Sequence, residues 1–272
     1  MYQIGWFSTG RGPGSRSLLK AVWDNIQRGD LRVSIPFVFT NREPGEAEGS
    51  DIFIQQVKEY GIPLIYFSSQ KFESENGKRL SPEWRLDYDR EIMQRLSSYN
   101  PDLVVLAGYM LIVGSELCQK YTMINLHPAE PGGPKGIWQD IIWQLIRERR
   151  PHGGIMMHLV IPELDAGPAV TYCTYPIRGG QFDTYWKELE HTSLDKIRKE
   201  QGENYPFFKL IRQHGLSREL PLIITTIKAF SEGRVKVDRV RQQVIDAHNK
   251  IIPPYDLSKE INQILPPELR AP

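Results

Sequence analysis

Cysteine is scarce in this sequence: it contains Cys118 and Cys173, which lie far apart and form no Cys-x-x-Cys pair. This argues against a disulfide scaffold and predicts two buried free thiols, which suit a reducing cytosol. A charge of one sign is also lacking, because 34 Lys and Arg residues balance 33 Asp and Glu residues. The near-zero net charge gives no global field for binding nucleic acid or an anionic membrane.

Long apolar runs are missing too, since no stretch of the sequence reaches the length that spans a membrane. The first residues, Met1–Phe7, lack the basic segment and apolar run of a targeting sequence. We therefore expect a soluble cytoplasmic protein with no membrane and no nucleic acid among its partners. What is present is typical of a globular chain: 40% of the 272 residues are hydrophobic, enough to bury a substantial core.

Short apolar runs alternate with helical patterns along most of the chain. The runs that predict strands are Tyr2–Ser8, Leu31–Thr40, Pro63–Phe67, Pro101–Gly108, Met123–Pro128, Gly154–Pro162 and Ala169–Ile177. Between them, apolar residues recur at spacings of three and four, as in Leu18, Leu19, Val22 and Ile26. This alternation predicts parallel βαβ units and therefore an α/β fold. Beyond Gln181 the sequence is charged and amphipathic, which predicts helices.

The run Met123–Pro128 reads as a short strand that carries two polar side chains near its end. Asn125 and His127 are two residues apart, so they point to the same face of a strand, and the proline after them stops its ladder. Strand ends are where ligands bind in open α/β sheets. With Asp165 from an acidic turn, these residues suit acyl-type transfer. The amide can stabilise an oxyanion, the imidazole can carry a proton, and the carboxylate is expected to favour the imidazolium form.

A glycine-rich turn follows the first predicted strand and precedes the first predicted helix. Its residues that we expect to bind phosphate are Gly10, Arg11, Gly12, Gly14 and Ser15. Glycines let backbone N–H groups approach an anion, and a helix N-terminus adds the positive end of its dipole. One alternative is that the glycines only permit a tight turn. Another is an NADP-dependent oxidoreductase, with Asn41–Arg42 facing a 2′-phosphate, although the glycine spacing is wrong for that fingerprint.

Four motifs carry a resemblance to a known family: Asn125–Pro128, Leu106–Met110, His152–Gly153 followed by His158, and Glu163–Pro168. In this combination the chain resembles the folate-dependent formyltransferases, most of all those of purine synthesis. The resemblance runs in collinear order over about residues 1–210. It predicts a catalytic domain over 1–210 and a helical C-terminal extension over 211–272, which includes the amphipathic segment Val235–Lys250.

The resemblance implies a formyltransferase fold, which is a Rossmann-like, mostly parallel sheet flanked by helices. It also implies transfer of a formyl group from 10-formyltetrahydrofolate, as cosubstrate, to the amine of glycinamide ribonucleotide, with no metal. The partners would be small-molecule substrates, in a monomer or a homodimer. Two alternatives share this fold: transfer to another amine, such as an amino-sugar nucleotide, and hydrolysis by a 10-formyltetrahydrofolate deformylase.

The family's functional residues correspond to positions of this sequence one by one. Its catalytic residues correspond to Asn125, His127 and Asp165. Its folate contacts correspond to Tyr109, Met110, Leu111, Ile112, Val113, Glu163 and Leu164. The family's arginine that binds the substrate phosphate corresponds to Arg85. In the family this arginine acts together with the glycine-rich turn. His158 is expected to support the site through hydrogen bonds, and Glu203 is the candidate for a contact with the substrate ribose.

The sequence departs from the family pattern at a few positions. Arg16 stands where an asparagine is common, Leu111 replaces a frequent arginine, and Glu130–Gly132 replaces a Leu-Leu-Pro segment of the same length. These departures leave the residues of formyl chemistry in place. They bear on the identity of the formyl acceptor.

Overall fold

The centre of the fold is a nine-stranded sheet in a computed structural model that describes residues 1–76, 81–239 and 241–270. The strands of these residues are β1 (Tyr2–Phe7), β2 (Val33–Ser34), β3 (Val38–Thr40), β4 (Leu64–Tyr66), β5 (Leu103–Leu106), β6 (Met123–His127), β7 (His152–Leu159), β8 (Ala169–Pro176), β9 (Lys236–Asp238), β10 (Gln243–Ile245) and β11 (Tyr255–Asp256). Strands β9 and β10 form a separate two-stranded sheet.

The central sheet is mostly parallel, as the alternation of strands and helices predicts. In space it runs β11-β8-β7-β6-β5-β1-β3-β4, and β2 pairs with β1 beside this path. Strand β7 is antiparallel to both of its neighbours, β6 and β8. Strands β1, β5 and β6 are parallel neighbours, so their carboxyl ends meet at one edge of the sheet. This edge is the expected place for a ligand.

Helices pack on both faces of the sheet. Those of the described residues are α1 (Pro13–Gln27), α2 (Glu48–Glu59), α3 (Ser69–Asn76), α4 (Pro82–Arg95), α5 (Ser115–Lys120), α6 (Trp138–Arg147), α7 (Phe182–His191), α8 (Leu194–Gln201), α9 (Pro206–Ser231) and α10 (Ser258–Ile264). In the part of the chain that the structure describes, no helix combines the length and the apolar character needed to cross a bilayer.

Strand β5 shows why the central strands are continuous apolar runs in the sequence. Leu103 and Val105 pack into a core shared with α1 and α9, whereas Val104 and Leu106 pack into a core shared with α4 and α5. All four side chains are buried, because both faces of a parallel strand are covered by helices. The two cores fix β5 and its neighbour β6, and with them the polar residues at the end of β6.

The C-terminal extension is only partly helical, which corrects the sequence-based prediction. The segment Val235–Lys250, expected to be helical, contains the β9–β10 hairpin, and β11 adds a parallel strand to the main sheet beside β8. The β-branched Val235 and Val237 alternate with Lys236 and Asp238, and this period of two suits a strand. The charged character that suggested a helical face therefore belongs to a hairpin that is mostly half-buried.

Helix α9 runs through residue 210, the position of the predicted domain boundary. It contains Pro221 in its interior, and the helix continues past this proline to Ser231. The helix packs on β7 and β8 of the central sheet. The division into domains 1–210 and 211–272 stays a prediction.

Both cysteines are free thiols, as predicted from their number and spacing. Cys173 on β8 is buried and Cys118 on α5 is half-buried. Burial raises the pKa of each thiol to about 12. Neither side chain therefore carries a reactive thiolate at neutral pH.

Candidate active site

Asn125 and His127 lie on β6 and face a second histidine from the neighbouring strand. Strand β7 runs antiparallel to β6 in a register that pairs Asn125 with His158. His127 and His158 are 2% and 3% exposed, so both imidazole rings are almost completely shielded from water. The antiparallel strand thus adds an imidazole to the face that carries Asn125 and His127.

Asp165 reaches this cluster from the turn between β7 and β8. Its Oδ2 lies 3.7 Å from Nδ1 of His127, and its Oδ1 lies 3.6 Å from Nε2 of His158. The residue has a φ of 49°, a left-handed conformation that aspartate adopts more readily than most residues. Gly167 allows the turn to approach β7, because a Cβ there would lie 1.8 Å from the carbonyl oxygen of Leu159. The three polar side chains predicted to act together therefore converge.

His158 orients the side-chain amide of Asn125. The Nδ1 atom of His158 lies 3.0 Å from the carbonyl oxygen of Leu159, which can only accept, so Nδ1 carries the donated hydrogen. With that hydrogen on Nδ1, the Nε2 atom of the ring accepts a hydrogen bond from Nδ2 of Asn125, at 3.2 Å. Since an amide nitrogen carries two hydrogens, the second one remains free to donate to a substrate.

The loop Pro131–Gly136 contacts both His127 and Asp165. The carbonyl oxygen of Pro134 accepts a hydrogen bond from Nε2 of His127 at 3.0 Å, and the backbone N–H of Gly136 helps to lower the pKa of Asp165. Gly136 has a φ of 108°, which favours glycine. The density of proline and glycine is the signal in the sequence for a loop of fixed shape. That composition does not reveal which side chains the loop holds.

Two opposing effects set the pKa of His127. Burial lowers the pKa of His127 below its usual value, although Pro134 and Asp165 act in the opposite direction. Asp165 does favour the imidazolium form, as expected, but desolvation of the ring outweighs the nearby carboxylate, so the net shift is downward. His158 lowers the pKa of Asp165, against the effect of its partial burial. At neutral pH the pair is a neutral imidazole beside a carboxylate.

A narrow apolar cleft opens beside Asn125, His158 and Asp165. Its walls contain Leu106, Tyr109, Leu111, Ile112, Val113, Val160, Ile161 and Leu164. They include all of the predicted folate contacts except Met110 and Glu163. Leu164 is 60% exposed at the mouth of the cleft, so a flat ligand entering here would cover apolar surface.

Three predicted contacts lie outside this cleft. Met110 is at its rim, where the backbone N–H donates to Oγ1 of Thr9 at 2.9 Å. Glu163 lines an adjoining cavity together with Cys118. Glu203 is exposed in a separate groove between α6 and α9, and this position gives its predicted ribose contact no support.

The predicted phosphate loop forms the N-terminus of α1. Gly12 is the N-cap residue and Gly14 lies in the first turn, while Gly10 has a φ of 67°. Ser15 donates its hydroxyl hydrogen to the carbonyl of Gly12 at 2.9 Å, and Arg11 is exposed. Within the described residues no side chain caps this helix, so its first N–H groups can bind an anion.

The two other arginines considered for substrate binding have structural contacts. Arg16 donates to the carbonyl oxygen of Gly49 at 3.2 Å, which joins α1 to α2. Arg85 on α4 packs beside Gly114, at the end of the predicted folate segment 109–113. Its contact with a substrate phosphate stays a prediction. Across residues 1–76, 81–239 and 241–270, no group of three or more His, Cys, Asp and Glu side chains is arranged to hold a metal ion.

Comparison with known proteins shows the family to which this chain is similar. Residues 12–187 match the family described as formyl transferase. A phosphoribosylglycinamide formyltransferase of Dictyostelium discoideum is 30% identical over 174 residues, which cover 60% of this chain and 80% of that protein. A solved phosphoribosylglycinamide formyltransferase of Coxiella burnetii aligns with a TM-score of 0.65 at 20% identity, over 94% of this chain and 98% of that one. A formyltetrahydrofolate deformylase of Pseudomonas syringae aligns with a TM-score of 0.59 at 20% identity, over 87% of this chain and 63% of that one.

These similarities confirm the predicted fold and extend it. An alignment over 94% of the chain reaches beyond residue 210, so the C-terminal part shares the fold although the sequence resemblance did not cover it. The family match covers more than half of the chain and contains Asn125, His127, His158 and Asp165. The chain therefore belongs to the formyl transferase family.

Proposed function

We propose that the chain transfers a formyl group from 10-formyltetrahydrofolate to the amine of glycinamide ribonucleotide, a step of purine synthesis. The observation that carries this proposal is the convergence of Asn125, His127 and Asp165 beside an apolar cleft in a member of the formyl transferase family. Formyl transfer needs a donor for the developing oxyanion and a carrier for one proton. These side chains supply both.

Asn125 is the donor for the oxyanion. When the acceptor amine attacks the formyl carbon, the carbonyl oxygen becomes negatively charged. One N–H of Asn125 is held by His158, so the other is oriented in advance to donate to that oxygen. A single preorganised donor of this kind lowers the barrier by roughly 3 kcal/mol. His158 is a positioning residue in this scheme, because it fixes which end of the amide faces the substrate.

His127 carries the proton. Its Nε2–H is engaged by the carbonyl of Pro134, so the lone pair of Nδ1 is available as the acceptor. Nδ1 takes one proton from the amine nitrogen of the tetrahedral intermediate, and Asp165 stabilises the imidazolium that forms. The same proton then passes to N10 of tetrahydrofolate as the bond between the formyl carbon and N10 breaks. The enzyme returns to its starting protonation state.

The acceptor is proposed from the shape of the first loop. The uncapped N-terminus of α1, at Gly10–Ser15, suits the phosphate of a ribonucleotide. Binding a part of the acceptor that does not react positions its amine at the formyl carbon. The acceptor in the name of the 30% identical Dictyostelium relative supports the same choice.

We assign the pterin ring of the cosubstrate to the apolar cleft. Its walls are mostly apolar and are joined by the polar groups of Asn125 and Asp165, a combination typical of ligand sites. The reaction takes place in the cytoplasm in this proposal, since the free thiols of Cys118 and Cys173 suit a reducing compartment. Small-molecule substrates are the proposed partners, in a monomer or a homodimer.

The test is an assay of the purified chain with 10-formyltetrahydrofolate and a panel of amines. Glycinamide ribonucleotide should become formylated while tetrahydrofolate appears in equal amount, and Asp165→Asn should abolish most of this turnover. Formylation of an amino-sugar nucleotide in preference to glycinamide ribonucleotide would overturn the acceptor. Release of formate with or without an amine would make the chain a deformylase. Oxidation of a substrate with NADP and no folate turnover would reject the whole scheme.

A further inference from the structure

Asp89 is a buried carboxyl group that the reaction scheme does not use. It lies on α4, is 2% exposed, and its Oδ2 accepts the N–H of Gly114 at 2.5 Å. Gly114 is the N-cap residue of α5 and directly follows segment 109–113, which walls the cleft. A hydrogen bond therefore joins Asp89 to the end of the segment that faces the proposed folate site.

Two side chains of α4, Asp89 and Arg85, lie close to Gly114. A Cβ at position 114 would lie 2.6 Å from Oδ2 of Asp89 and 3.5 Å from the side chain of Arg85. The other end of the segment is also fixed, since Oγ1 of Thr9 accepts the N–H of Met110 at 2.9 Å. Segment 109–113 is thus held at both ends, and Asp89 provides the polar contact at the second end.

The charged and titratable groups around Asp89 come from each element packed against it. On its own helix these are Arg85 and Tyr88, on α5 they are Glu116 and Cys118, and on the folate segment it is Tyr109. Burial raises the pKa of Asp89 to about 7, against the effects of the Gly114 N–H and Arg85. Burial also raises the pKa values of Tyr88, Tyr109 and Cys118, so these three stay neutral near pH 7.

We propose that Asp89 is a positioning residue for the folate cosubstrate: by accepting the N–H of Gly114, its carboxylate holds segment 109–113 in the shape that walls the cleft. This inference rests on the proposed function, because it takes the cleft as the folate site. An ionised carboxylate accepts a hydrogen bond about twice as strongly as a neutral group. Folate therefore binds more tightly when Asp89 is ionised, and its affinity falls as the pH drops from 8 to 6.

The test compares the wild-type chain with Asp89→Asn, and uses Asp87→Asn as the matched control. Asp87 is on the same helix, but its side chain is 61% exposed and pairs with Arg90. The dissociation constant of 10-formyltetrahydrofolate should rise about fivefold from pH 8 to pH 6 in the wild type and in the control. In Asp89→Asn it should be raised at pH 8 and change little with pH, while the KM of the amine acceptor stays the same.

A second measurement uses the wild-type chain alone. If folate prefers the ionised form of Asp89, its binding at pH 7 should release roughly a third of a proton, seen by calorimetry in buffers of different ionisation enthalpy. A pH-independent dissociation constant with no proton release would overturn the role of Asp89 while leaving the proposed function intact. Absence of folate binding at both pH values would overturn the proposed function and this inference together.

Amide hydrogen exchange separates the positioning role from a general loss of stability. In Asp89→Asn without folate, protection should fall for residues 110–114 and stay at the wild-type level in β5 and β6. Equal protection of residues 110–114 in the variant and the wild type would contradict the proposed hold on the segment. A uniform loss of protection across the sheet would show that Asp89 supports the fold as a whole, and this too would reject the inference.

Discussion

The Nδ1 atom of His127 and the Oδ2 atom of Asp165 face each other at 3.7 Å, too far apart for a direct hydrogen bond. In the neutral ring Nδ1 is an acceptor, because Nε2 donates to Pro134, and the carboxylate is an acceptor as well. A group that carries two N–H hydrogens and lies beside these two acceptors can donate one hydrogen to each of them. The amine of a formyl acceptor is such a group.

Asp165→Asn should reduce the kcat of formyl transfer by a factor of roughly 10² or more. The amide has nearly the shape of the carboxylate but no charge to stabilise the imidazolium of His127. Thermal unfolding should change little, since the amide keeps the shape of the carboxylate in a turn that Gly167 shapes. Asp87→Asn, an exposed change on α4, is the control. Turnover of Asp165→Asn at the wild-type rate would refute its role.

The pH dependence of kcat should reflect the lowered pKa of His127. The ring is needed in its neutral form, and burial keeps it neutral down to a pH below its usual pKa of 6.5. The rate should therefore be flat near pH 7 to 8 and fall on the acid side with a midpoint below 6.5. Asp165 raises the pKa of His127, so Asp165→Asn should move this midpoint lower still. Steady-state kinetics and an NMR titration of His127 measure both, and a midpoint above 6.5 would contradict the assignment.

Asn125 and His158 should not act independently. Asn125→Ala removes the oxyanion donor and should lower kcat by roughly 10² to 10³. His158→Ala leaves the donor in place but frees the amide to rotate, so its effect should be smaller. If His158 acts through Asn125, the double variant should lose much less than the product of the two single losses. Losses that multiply would show that His158 has a separate role.

Most of these active-site residues could be predicted from the sequence, because local patterns determine them. The apolar run of β6 with polar residues two positions apart indicated Asn125 and His127 as side chains of one face. The acidic turn indicated Asp165. Their convergence was also predictable, since strand ends in an α/β sheet meet at one edge.

Other features depend on contacts between distant parts of the chain, which periodicity does not encode. The hydrogen bond from His127 to Pro134 depends on the path of a loop without regular structure. Arg85 stays a predicted binding residue, and its packing beside Gly114 joins two elements that the sequence pattern does not connect. Charge suggested a helix over Val235–Lys250, while β-branched residues in alternation gave a hairpin there.

Two glycines of the loop Pro131–Gly136 offer a matched pair of variants. Gly132 and Gly136 have φ values of 74° and 108°, so an alanine is strained at both positions, and more so at Gly136, which lies further from the left-handed region. Both positions have open space for a Cβ, but of the two only the backbone N–H of Gly136 acts on Asp165, whose pKa it lowers. Gly136→Ala should therefore lower kcat at least tenfold more than Gly132→Ala, because a shift of the backbone at Gly136 moves the surroundings of Asp165. Equal kcat values for the two variants would show that the loop does not orient Asp165.

The raised pKa of Asp89 makes a prediction about stability as well as binding. A carboxyl group whose pKa is about 7 in the folded chain and about 4 in the unfolded chain takes up a proton on folding between these values. The contribution of Asp89 to the free energy of unfolding should therefore fall as the pH rises from 4 to 7 and level off above 7. Relative to Asp89→Asn, the wild type should lose roughly 2 to 3 kcal/mol between pH 5 and pH 8, measured by urea unfolding.

Asp87→Asn, at an exposed position of the same helix, should show no such pH-dependent difference from the wild type. A constant difference between Asp89→Asn and the wild type from pH 5 to pH 8 would mean that Asp89 titrates alike in the folded and unfolded chain. If the prediction holds, replacing Asp89 by asparagine will cost less stability at pH 8 than at pH 5 and yet will weaken folate binding. That combination is expected where a buried charge is kept for function at the expense of stability.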